Sequence, residues 1–469
     1  MVDATNGDRP RSQDLRVAVV GAGPAGYYSA LDLLAQESLD AHVDLFDRLP
    51  APYGLVRYGV APDHGKIRNV TKVYDRGVEA AGDRFRFFGH VELGTDISLD
   101  ELMARYNAVI LTFGAQTDMH LGVPGEGLPQ VYGAREFVAW YNGHPDFANA
   151  PFDLSADRAI VVGIGNVAID VARILARTRD ELALTDISDI ALAALAGSRV
   201  REIDIVARRG PLQAKTTPSE LLELTHMADA DLVVAERDLE LDPVSQAVID
   251  RGHDVSRQSL RNLEIMREEA RREPRPGRCC VRLRFYLSPV EVHGTDRVTG
   301  VTLRRNTIQE KTGGYLGVVA TDETEDLDCG LIFRSIGYKG RPLPGLPFDA
   351  DRGVFPNTLG RITDQNDNPI PQLYTAGWIK RGPSGIIGTN RACGVETADS
   401  LLNDIDLLAT NESKPGAEGI YPILDKKKVR HINFMDWKKI DQHEIDLGKP
   451  KGKPRDKLTS VADMLKVLD

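Results

Sequence analysis

Residues 15–36 read LRVAVVGAGPAGYYSALDLLAQ, and this stretch decides the fold. A β-branched apolar segment leads through a glycine-rich turn into apolar residues at helical spacing, which predicts a strand, a tight turn and a helix. A second strand, AHVDLFD, ends at Asp47, and AVILTFGA (108–115) predicts another buried strand. Strands that alternate with helices in this way are typical of a parallel α/β sheet.

The same pattern begins again in the middle of the chain. RAIVVGIGNVAIDVARILAR (158–177) predicts strand, glycine turn and helix, and REIDIVARR (201–209) predicts the next strand. LDCGLIFRSIGY (327–338) adds a strand, and LYTAGWIKRGPSGIIGTNRACGVETADSLL (373–402) adds a strand, a loop and a long helix. The polar stretch after about Asn411 ends in a predicted short amphipathic helix. The predicted fold class is therefore α/β, with two doubly wound nucleotide-binding domains.

Length and composition exclude several classes of protein. A chain of 469 residues is expected to form two or three domains, and 42% hydrophobic with 27% charged residues is an ordinary globular composition. No apolar stretch reaches the roughly 20 residues of a membrane helix, and the net charge of -11 argues against nucleic-acid binding. Residues 1–16 show neither an apolar signal core nor a transit-peptide composition. We expect a cytoplasmic location and, as the simplest assembly, a monomer.

The first glycine motif, GAGPAG, predicts a dinucleotide site. Gly21 permits the tight turn, Gly23 lets the backbone approach a pyrophosphate, and Gly26 allows the helix to pack against the strand. The pyrophosphate would lie at the helix N-terminus, where free amides and the helix dipole favour an anion. Asp47, at the end of the next strand, is placed to accept hydrogen bonds from ribose hydroxyls. A purely structural turn is the alternative interpretation.

The second glycine motif, GIGNVA, is followed by a strand with a basic end. That strand ends in Arg208 and Arg209 rather than in an acidic residue. A carboxylate there would repel a 2′-phosphate, whereas two guanidinium groups can bind it with charged hydrogen bonds worth about 1.5–3 kcal/mol each. The sequence therefore predicts a preference for NADP over NAD. The alternative is an exposed Arg pair that merely ends a strand.

Two unlike motifs predict two unlike dinucleotides, FAD in the first domain and NADPH in the second. A flavin can accept two electrons together and release them singly, which a nicotinamide does not readily do. The four cysteines, Cys279, Cys280, Cys329 and Cys393, form no C-x-x-C pair and lack the spacing of a zinc or iron–sulfur site. We therefore expect no metal, and electrons must leave the protein to an external acceptor.

Several long segments are shared with a known family. They are PYGLVRYGVAPDH (52–64), DRFRFFG (83–89), GNVAIDVARIL (165–175), RRGPLQ (208–213) and GWIKRGPSGIIGT (377–389). They resemble the adrenodoxin reductase family, and within it the actinobacterial NADPH-ferredoxin reductases most closely, from about Arg16 to DWKKIDQHEIDLGKPKGKPRDKL (436–458). The resemblance implies a fold of the glutathione-reductase-like flavoprotein type. It also implies hydride transfer from NADPH to tightly bound FAD, followed by single-electron transfer to a ferredoxin.

The chain is expected to divide into two domains. Residues 1–115 and 331–469 would form the FAD-binding domain, the latter part with a C-terminal extension, and residues 116–330 would form an inserted NADP-binding domain. The resemblance implies the remaining FAD contacts, which are Ala25, Asp47, Leu55, Leu93, Trp378, Gly385, Ile386 and Ile387. For NADPH it implies Ile164, Gly165, Asn166, Val167, Arg208, Arg209, Glu220 and, near the nicotinamide, Gly385.

Two further residues match positions that have been proposed in the family to act around the nicotinamide. His64 and Glu223 would be catalytic in proton handling, because a histidine titrates near neutrality and a carboxylate can be tuned toward it. Hydride transfer itself needs no protein acid, and a hydrogen-bonded structural pair is the alternative. The segment GPSGII (382–387) precedes a helix, so its amides are expected to face the flavin pyrimidine ring.

An acidic ferredoxin is the expected protein partner. Residues 251–284 carry ten Arg and five acidic residues, a local net charge of +5 within a chain of -11, and such a patch would steer an acidic protein. A solvated amphipathic helix is the alternative, and the Lys-rich segments 426–430 and 449–457 are further basic surfaces. At Leu222 the chain departs from mitochondrial members, in which an arginine contributes to docking.

Two other functions stay open at this stage. An NADPH-dependent quinone or dye reductase would use the same two nucleotide sites without a protein partner, and a redox sensor would bind the nucleotides without turnover. A disulfide reductase is disfavoured, because the sequence has no C-x-x-C or C-x-x-x-x-C pair.

Overall fold

The fold is seen in a computed structural model that describes residues 13–252, 255–311, 315–408 and 414–469. Residues 1–12, on which the expected location rests, and positions 253 and 254 of the basic segment lie outside the described residues. The strands, in chain order, are β1 (Gln13–Val20), β2 (Leu39–Asp47), β3 (Phe85–Gly89), β4 (Ala108–Leu111), β5 (Thr117–Asp118), β6 (Val131–Gly133), β7 (Arg158–Val162), β8 (Glu202–Val206), β9 (Ala230–Val234), β10 (Cys279–Arg284), β11 (Leu287–Gly294), β12 (Val298–Lys311), β13 (Tyr315–Asp328), β14 (Leu331–Arg334), β15 (Tyr338–Lys339), β16 (Asn357–Thr358), β17 (Arg361–Thr363) and β18 (Pro369–Thr375).

The α-helices are, in the same order, α1 (Pro24–Leu34), α2 (Leu55–Tyr58), α3 (Gly65–Arg68), α4 (Thr71–Ala81), α5 (Leu99–Arg105), α6 (Ala134–Tyr141), α7 (Asn166–Ala176), α8 (Arg179–Ala183), α9 (Asp189–Ala196), α10 (Pro218–Thr225), α11 (Pro243–Asp250), α12 (Arg257–Glu269), α13 (Trp378–Arg381), α14 (Ile387–Asn403), α15 (Ile405–Leu408), α16 (Tyr421–Lys427), α17 (Phe434–Gly448) and α18 (Val461–Lys466). Within the described part of the chain, no helix is both long and apolar enough to cross a bilayer.

The first sheet has the strand order β16-β17-β18-β4-β1-β2-β3. Its five strands from β18 to β3 run parallel, and β17 and β16 continue the sheet antiparallel at one edge. Successive residues of β1 enter different cores, with Val17 and Val19 on one face and Ala18 and Val20 on the other. Both faces of the sheet are covered, which explains why residues 17–20 of β1 are all apolar.

The second sheet is parallel throughout, with the order β6-β14-β7-β8-β10-β9. One largely parallel and one wholly parallel sheet, each with a glycine turn after an internal strand, confirm the predicted fold class. The boundary expected at residue 330 lies just before β14, yet β14 is hydrogen-bonded to β6 and β7 in this second sheet. The apolar run LDCGLIFRSIGY predicts a buried strand but does not say which sheet receives it. The domain division stays a prediction.

Two features of the fold are absent from the sequence-based prediction. A three-stranded antiparallel sheet, β11-β12-β13, packs beside the second sheet, and the pair β5-β15 lies where the chain passes between the two parallel sheets. In the C-terminal segment, α17 buries Trp437, Ile440 and Glu444. This helix was not predicted, because the segment is polar and contains Pro and Gly residues.

Candidate active site

The first glycine turn is tight on its inner side and open on its outer side. Gly21 has φ +111°, and a Cβ at Gly26 would lie 2.1 Å from the Gly21 carbonyl oxygen, so neither position tolerates a side chain. At Gly23, by contrast, a Cβ would meet nothing within 4 Å. The protein itself leaves the space at the start of α1 free, which fits a pyrophosphate at this helix N-terminus.

Asp47 lies beside this turn, as the sequence predicts. Its carboxylate accepts hydrogen bonds from the amides of Ala22 and Leu49, both at 2.9 Å. Burial raises the pKa of the Asp47 carboxyl, although the two amide hydrogen bonds act in the opposite direction. The ribose contact stays a prediction, and the structure supports it by holding the carboxylate in a fixed orientation.

The segment that begins at Gly377 closes over the start of α1. A Cβ at Gly377, which has φ +79°, would lie 2.7 Å from the Cβ of Ala25. Next to it, the ring of Trp378 stacks on Tyr338 with centroids 5.8 Å apart. The indole Nε1 of Trp378 is buried and has no hydrogen-bond partner among the described residues. Because an unsatisfied buried donor costs about 1–3 kcal/mol, a polar ligand such as a flavin fits beside it.

The predicted apolar FAD residues line the same region or its edge. A Cβ at Gly54 would lie 2.9 Å from the Cα of Gly23, and the next residue, Leu55, is 40% exposed. Ile386 is 62% exposed, and its amide donates to the hydroxyl of Thr389 at 3.2 Å. These exposed apolar side chains fit a flat aromatic ring.

The other two FAD residues of this group differ in their surroundings. Ile387 is the first residue of α14 and packs against the core that contains Ala25. Leu93 is half-buried and packs against the core on the opposite face of the first sheet. Gly385 has φ +82°, so the loop before α14 needs the conformational freedom of glycine there.

The second glycine turn repeats the first. A Cβ at Gly163 would lie 2.1 Å from the Ser335 carbonyl oxygen, whereas at Gly165 it would meet nothing within 4 Å. The side-chain oxygen of Asn166 accepts from the Thr217 amide at 2.9 Å, and the Ile164 carbonyl accepts from the Lys215 amide at 3.1 Å. Ile164 and Val167 are half-buried. Hydrogen bonds to the segment that contains Lys215 and Thr217 hold the turn in place, and the space beside Gly165 stays open, as a second pyrophosphate requires.

Arg208 and Arg209 follow β8 at the edge of this turn. Arg208 is exposed and Arg209 is half-buried. Over the residues that the structure describes, neither guanidinium forms an ion pair or a hydrogen bond, although both carbonyl groups accept hydrogen bonds. Two unneutralised guanidinium groups on an anchored backbone fit a doubly charged phosphate.

His64 and Glu223 come from two separate segments of the chain and meet in the tertiary structure. His64 precedes α3, Glu223 lies on α10, and His64 Nε2 is 2.7 Å from Glu223 Oε2. Glu220, one turn earlier on α10, lies 3.6 Å from His64 Nδ1. The structure therefore brings Glu220, a predicted NADPH contact, together with the predicted pair of His64 and Glu223.

Comparison with known proteins places these features in a family. The family model described as "Pyridine nucleotide-disulphide oxidoreductase" matches residues 15–210. The "NADPH:adrenodoxin oxidoreductase, mitochondrial" of Arabidopsis thaliana is 41% identical over 467 residues, which cover 97% of this chain and 95% of that protein. The "NADPH-ferredoxin reductase FprA" of Mycobacterium tuberculosis is 41% identical over 465 residues, covering 96% of this chain and 98% of that protein. The chain belongs to the adrenodoxin reductase family.

A solved structure agrees with this assignment. M. tuberculosis FprA in complex with NADPH superposes with a TM-score of 0.90 at 41% identity, covering 97% of this chain and 99% of that chain. The family resemblance inferred from the sequence is therefore confirmed. The individual site residues stay predictions that the geometry supports.

In this member of the adrenodoxin reductase family, a fully buried arginine organises the site. Arg173 on α7 lies 2.7 Å from Asp63, 2.6 Å from Asp170 and 3.2 Å from Glu220. Its Nε is also 3.4 Å from Glu223. One guanidinium thus joins carboxylates from three separate segments around His64.

The same cluster sets unusual proton affinities. Burial, reinforced by the charge of Asp170, raises the pKa of Glu220 to about 7. Burial lowers the pKa of His64, but its hydrogen bond to Glu223 and the charges of Asp170 and Glu220 outweigh burial and raise it. Despite burial, hydrogen bonding to Arg173 lowers the pKa of Asp63 to about 2. A carboxyl whose pKa is raised to about 7, beside a histidine whose pKa is also raised, can hold or move a proton.

Sequence reasoning missed Asp63, Asp170, Arg173 and Arg177. Asp170 and Arg173 are three residues apart on one face of α7, and Arg177 directly follows the last residue of that helix. Charged residues on the apolar face of a predicted buried helix could have revealed the site. Asp63 lies directly before His64 but reaches Arg173 and Arg177 only through the tertiary fold.

Proposed function

We propose that the chain is an NADPH:ferredoxin oxidoreductase that carries FAD. The observation that carries the proposal is the presence of two open glycine turns with unlike strand ends, together with the 2.7 Å contact of His64 and Glu223, which joins the segment before α3 to helix α10. Membership of the adrenodoxin reductase family supports both cofactors predicted from the sequence, FAD and NADP(H). When bound, FAD would supply a centre that takes up hydride and releases single electrons.

The residues present fit these two groups. Gly21, Gly23, Gly26 and Asp47 would hold the FAD pyrophosphate and ribose, and the unpartnered indole of Trp378 would face a polar atom of the same cofactor. Gly165 and Asn166 would receive the NADPH pyrophosphate, while Arg208 and Arg209 would bind the 2′-phosphate. His64, Glu220 and Glu223 would then lie between the two nucleotides and handle the proton.

Glu223→Gln is expected to shift the pH dependence of reduction by NADPH toward lower pH. The carboxylate of Glu223 stabilises protonated His64, so the amide would remove that stabilisation and His64 would lose its proton at a lower pH. Rapid-mixing measurements of the rate of flavin reduction at pH values across the neutral range test this shift, and an NMR titration of His64 follows its proton directly. If the pH at which the reduction rate falls is the same in the variant as in the wild type, this pair has no role in proton handling.

The proposed ferredoxin surface is helix α12 and the turn that follows it. Most arginines of residues 251–284 are paired with acidic residues, for example Arg261 with Glu264 at 3.0 Å and Arg275 with Asp231 at 2.5 Å. Four exposed arginines have no acidic partner within the described ranges, namely Arg251, Arg257, Arg267 and Arg271. The free positive charge is therefore smaller than the sequence count, and three of the four arginines lie on α12 or directly after it.

This surface adjoins the second glycine turn. The side chains of Gln258 and Asn262 on α12 both donate to the Thr216 carbonyl, at 3.0 and 2.7 Å. The next amide, that of Thr217, donates to Asn166 in the glycine turn. Leu222, which stands in place of a docking arginine, packs against the core of the second sheet instead. A partner on α12 would thus lie beside the nucleotide site.

Electron transfer through an acidic ferredoxin to cytochrome c is expected to slow as ionic strength rises. Exposed charge pairs are screened by salt, and Arg257→Glu with Arg267→Glu should lower the low-salt rate about tenfold or more. Direct reduction of a small dye should not change. Lys426→Glu with Lys428→Glu, on the other basic segment, is the matched control.

The outcomes also separate the rival functions. Dye reduction without any ferredoxin-dependent rate would favour a quinone or dye reductase. A yellow protein that NADPH does not bleach, or that is bleached but passes no electrons on, would favour a redox sensor. Equal losses in both charge-reversal variants would remove α12 as the docking surface. The acidic nature of the ferredoxin, a monomeric state and a cytoplasmic location belong to this proposal.

A further inference from the structure

We propose that Asn306 is a positioning residue that sets the preference for the 2′-phosphorylated nucleotide by fixing the main chain at Arg208. The inference rests on the proposed function, because it assumes that Arg208 and Arg209 bind the 2′-phosphate. Asn306 belongs to β12 of the third sheet, which lies outside both glycine motifs and which the sequence did not predict. This sheet would therefore have a role in nucleotide selection.

The side chain of Asn306 reaches the arginine pair directly. It is buried, and its Nδ2 donates to the Arg208 carbonyl at 3.0 Å and to the hydroxyl of Ser288 at 2.8 Å. The pairing of β12 with β13 shifts register between Arg304 and Asn306. A bulge of this kind changes the direction of the side chains around it, and here a polar side chain contacts the backbone of a neighbouring sheet.

A second residue holds the adjacent carbonyl. The amide of Tyr286 donates to the Arg209 carbonyl at 3.2 Å, and the Tyr286 carbonyl accepts from the Asn306 amide at 2.7 Å. Tyr286 has φ +61°, a conformation that tyrosine rarely adopts. Its hydroxyl donates to the Glu240 carbonyl at 3.0 Å, and a Cβ at Gly210 would lie only 2.3 Å from that hydroxyl. The strained backbone of Tyr286 is thus held from both ends.

These contacts fix the backbone of both arginines and leave their side chains free. A phosphate that binds two guanidinium groups carried on a fixed backbone avoids the entropy cost of ordering the loop that carries them. Without the Asn306 bond, the Arg208 carbonyl would lose its buried donor and the loop would have to be ordered when NADPH binds. NADH has no 2′-phosphate and gains nothing from the ordered pair, so only the phosphorylated nucleotide is affected.

The experiment compares Asn306→Leu with a matched substitution of another buried asparagine. Asn107 donates through Nδ2 to the Leu408 carbonyl at 3.2 Å, in the first sheet. In FAD-loaded protein with a small dye as acceptor, Asn306→Leu should lower kcat/KM for NADPH about tenfold and leave that for NADH within about twofold. The inhibition constant of 2′,5′-ADP should rise by the same factor as kcat/KM falls. Asn107→Leu should leave the NADPH-to-NADH ratio unchanged.

Several results would overturn the inference. If Arg208→Ala with Arg209→Ala abolishes the NADPH preference while Asn306→Leu leaves it intact, Asn306 does not position the pair. If the ratio of kcat/KM for NADPH to that for NADH falls equally in Asn107→Leu, the effect is a general one of lost stability. If the double arginine variant itself keeps the preference, the proposed phosphate site fails instead. Should Asn306→Leu not retain FAD, Asn306→Ala introduces no additional volume and decides the question with the same measurements.

Discussion

Arg208→Ala with Arg209→Ala is expected to weaken NADPH binding in the transition state by about 3 kcal/mol, roughly a hundredfold in kcat/KM, while sparing NADH. Two charged hydrogen bonds to a 2′-phosphate account for this loss. The lower part of their range applies, because Arg208 is exposed and solvent screens its charge. Steady-state dye reduction with each nucleotide in turn measures the effect.

The control is another adjacent pair of arginines in the same half of the protein. Arg271 and Arg272 are both exposed, and their replacement by alanine should leave both nucleotides unchanged in the dye assay. Equal losses for NADPH and NADH in the Arg208 and Arg209 variant would refute the assignment of the 2′-phosphate to this pair. A loss in the control of similar size would point to general electrostatic attraction of the nucleotide instead.

Local sequence predicted the parts of the fold that local interactions determine. The turns at Gly21 and Gly163 and the helices that follow them need only a glycine in the right conformation, an apolar strand and a helical pattern. The placement of β14 in the second sheet depends on pairing with β6 and β7, which precede it by more than 150 residues. No short-range pattern contains that information.

The site residues also differ in whether local sequence or tertiary contacts determine their place. Asp47, Arg208 and Arg209 could be predicted because each lies at or just beyond the end of the strand that follows its glycine motif. The cluster around Arg173 could not, because its partners come from the segment before α3 and from α10. Asn306 could not be predicted for a further reason, because its contact with Arg208 depends on a register shift between two strands of the third sheet.

The segment that carries His64 is anchored by a buried ion pair. Arg57 and Glu444, with side chains only 4% and 0% exposed, are 2.6 Å apart. The guanidinium also lies 5.1 Å from the ring centroids of Tyr58 and Trp437. Glu444 lies on α17, so the C-terminal helix holds residues 52–64 in place from a distance of nearly 400 residues.

Glu444→Leu is expected to lower the free energy of unfolding by about 3–5 kcal/mol, because it leaves the Arg57 charge buried without its partner. Arg57→Met with Glu444→Leu should recover most of that loss, since neither charge of this pair then remains buried. Glu264→Leu, which breaks an exposed pair with Arg261, should cost less than about 1 kcal/mol. Urea unfolding of the FAD-loaded protein measures all three. If the double variant is no more stable than Glu444→Leu alone, packing by Glu444 rather than its charge holds the segment, and the anchoring of His64 through Arg57 would be wrong.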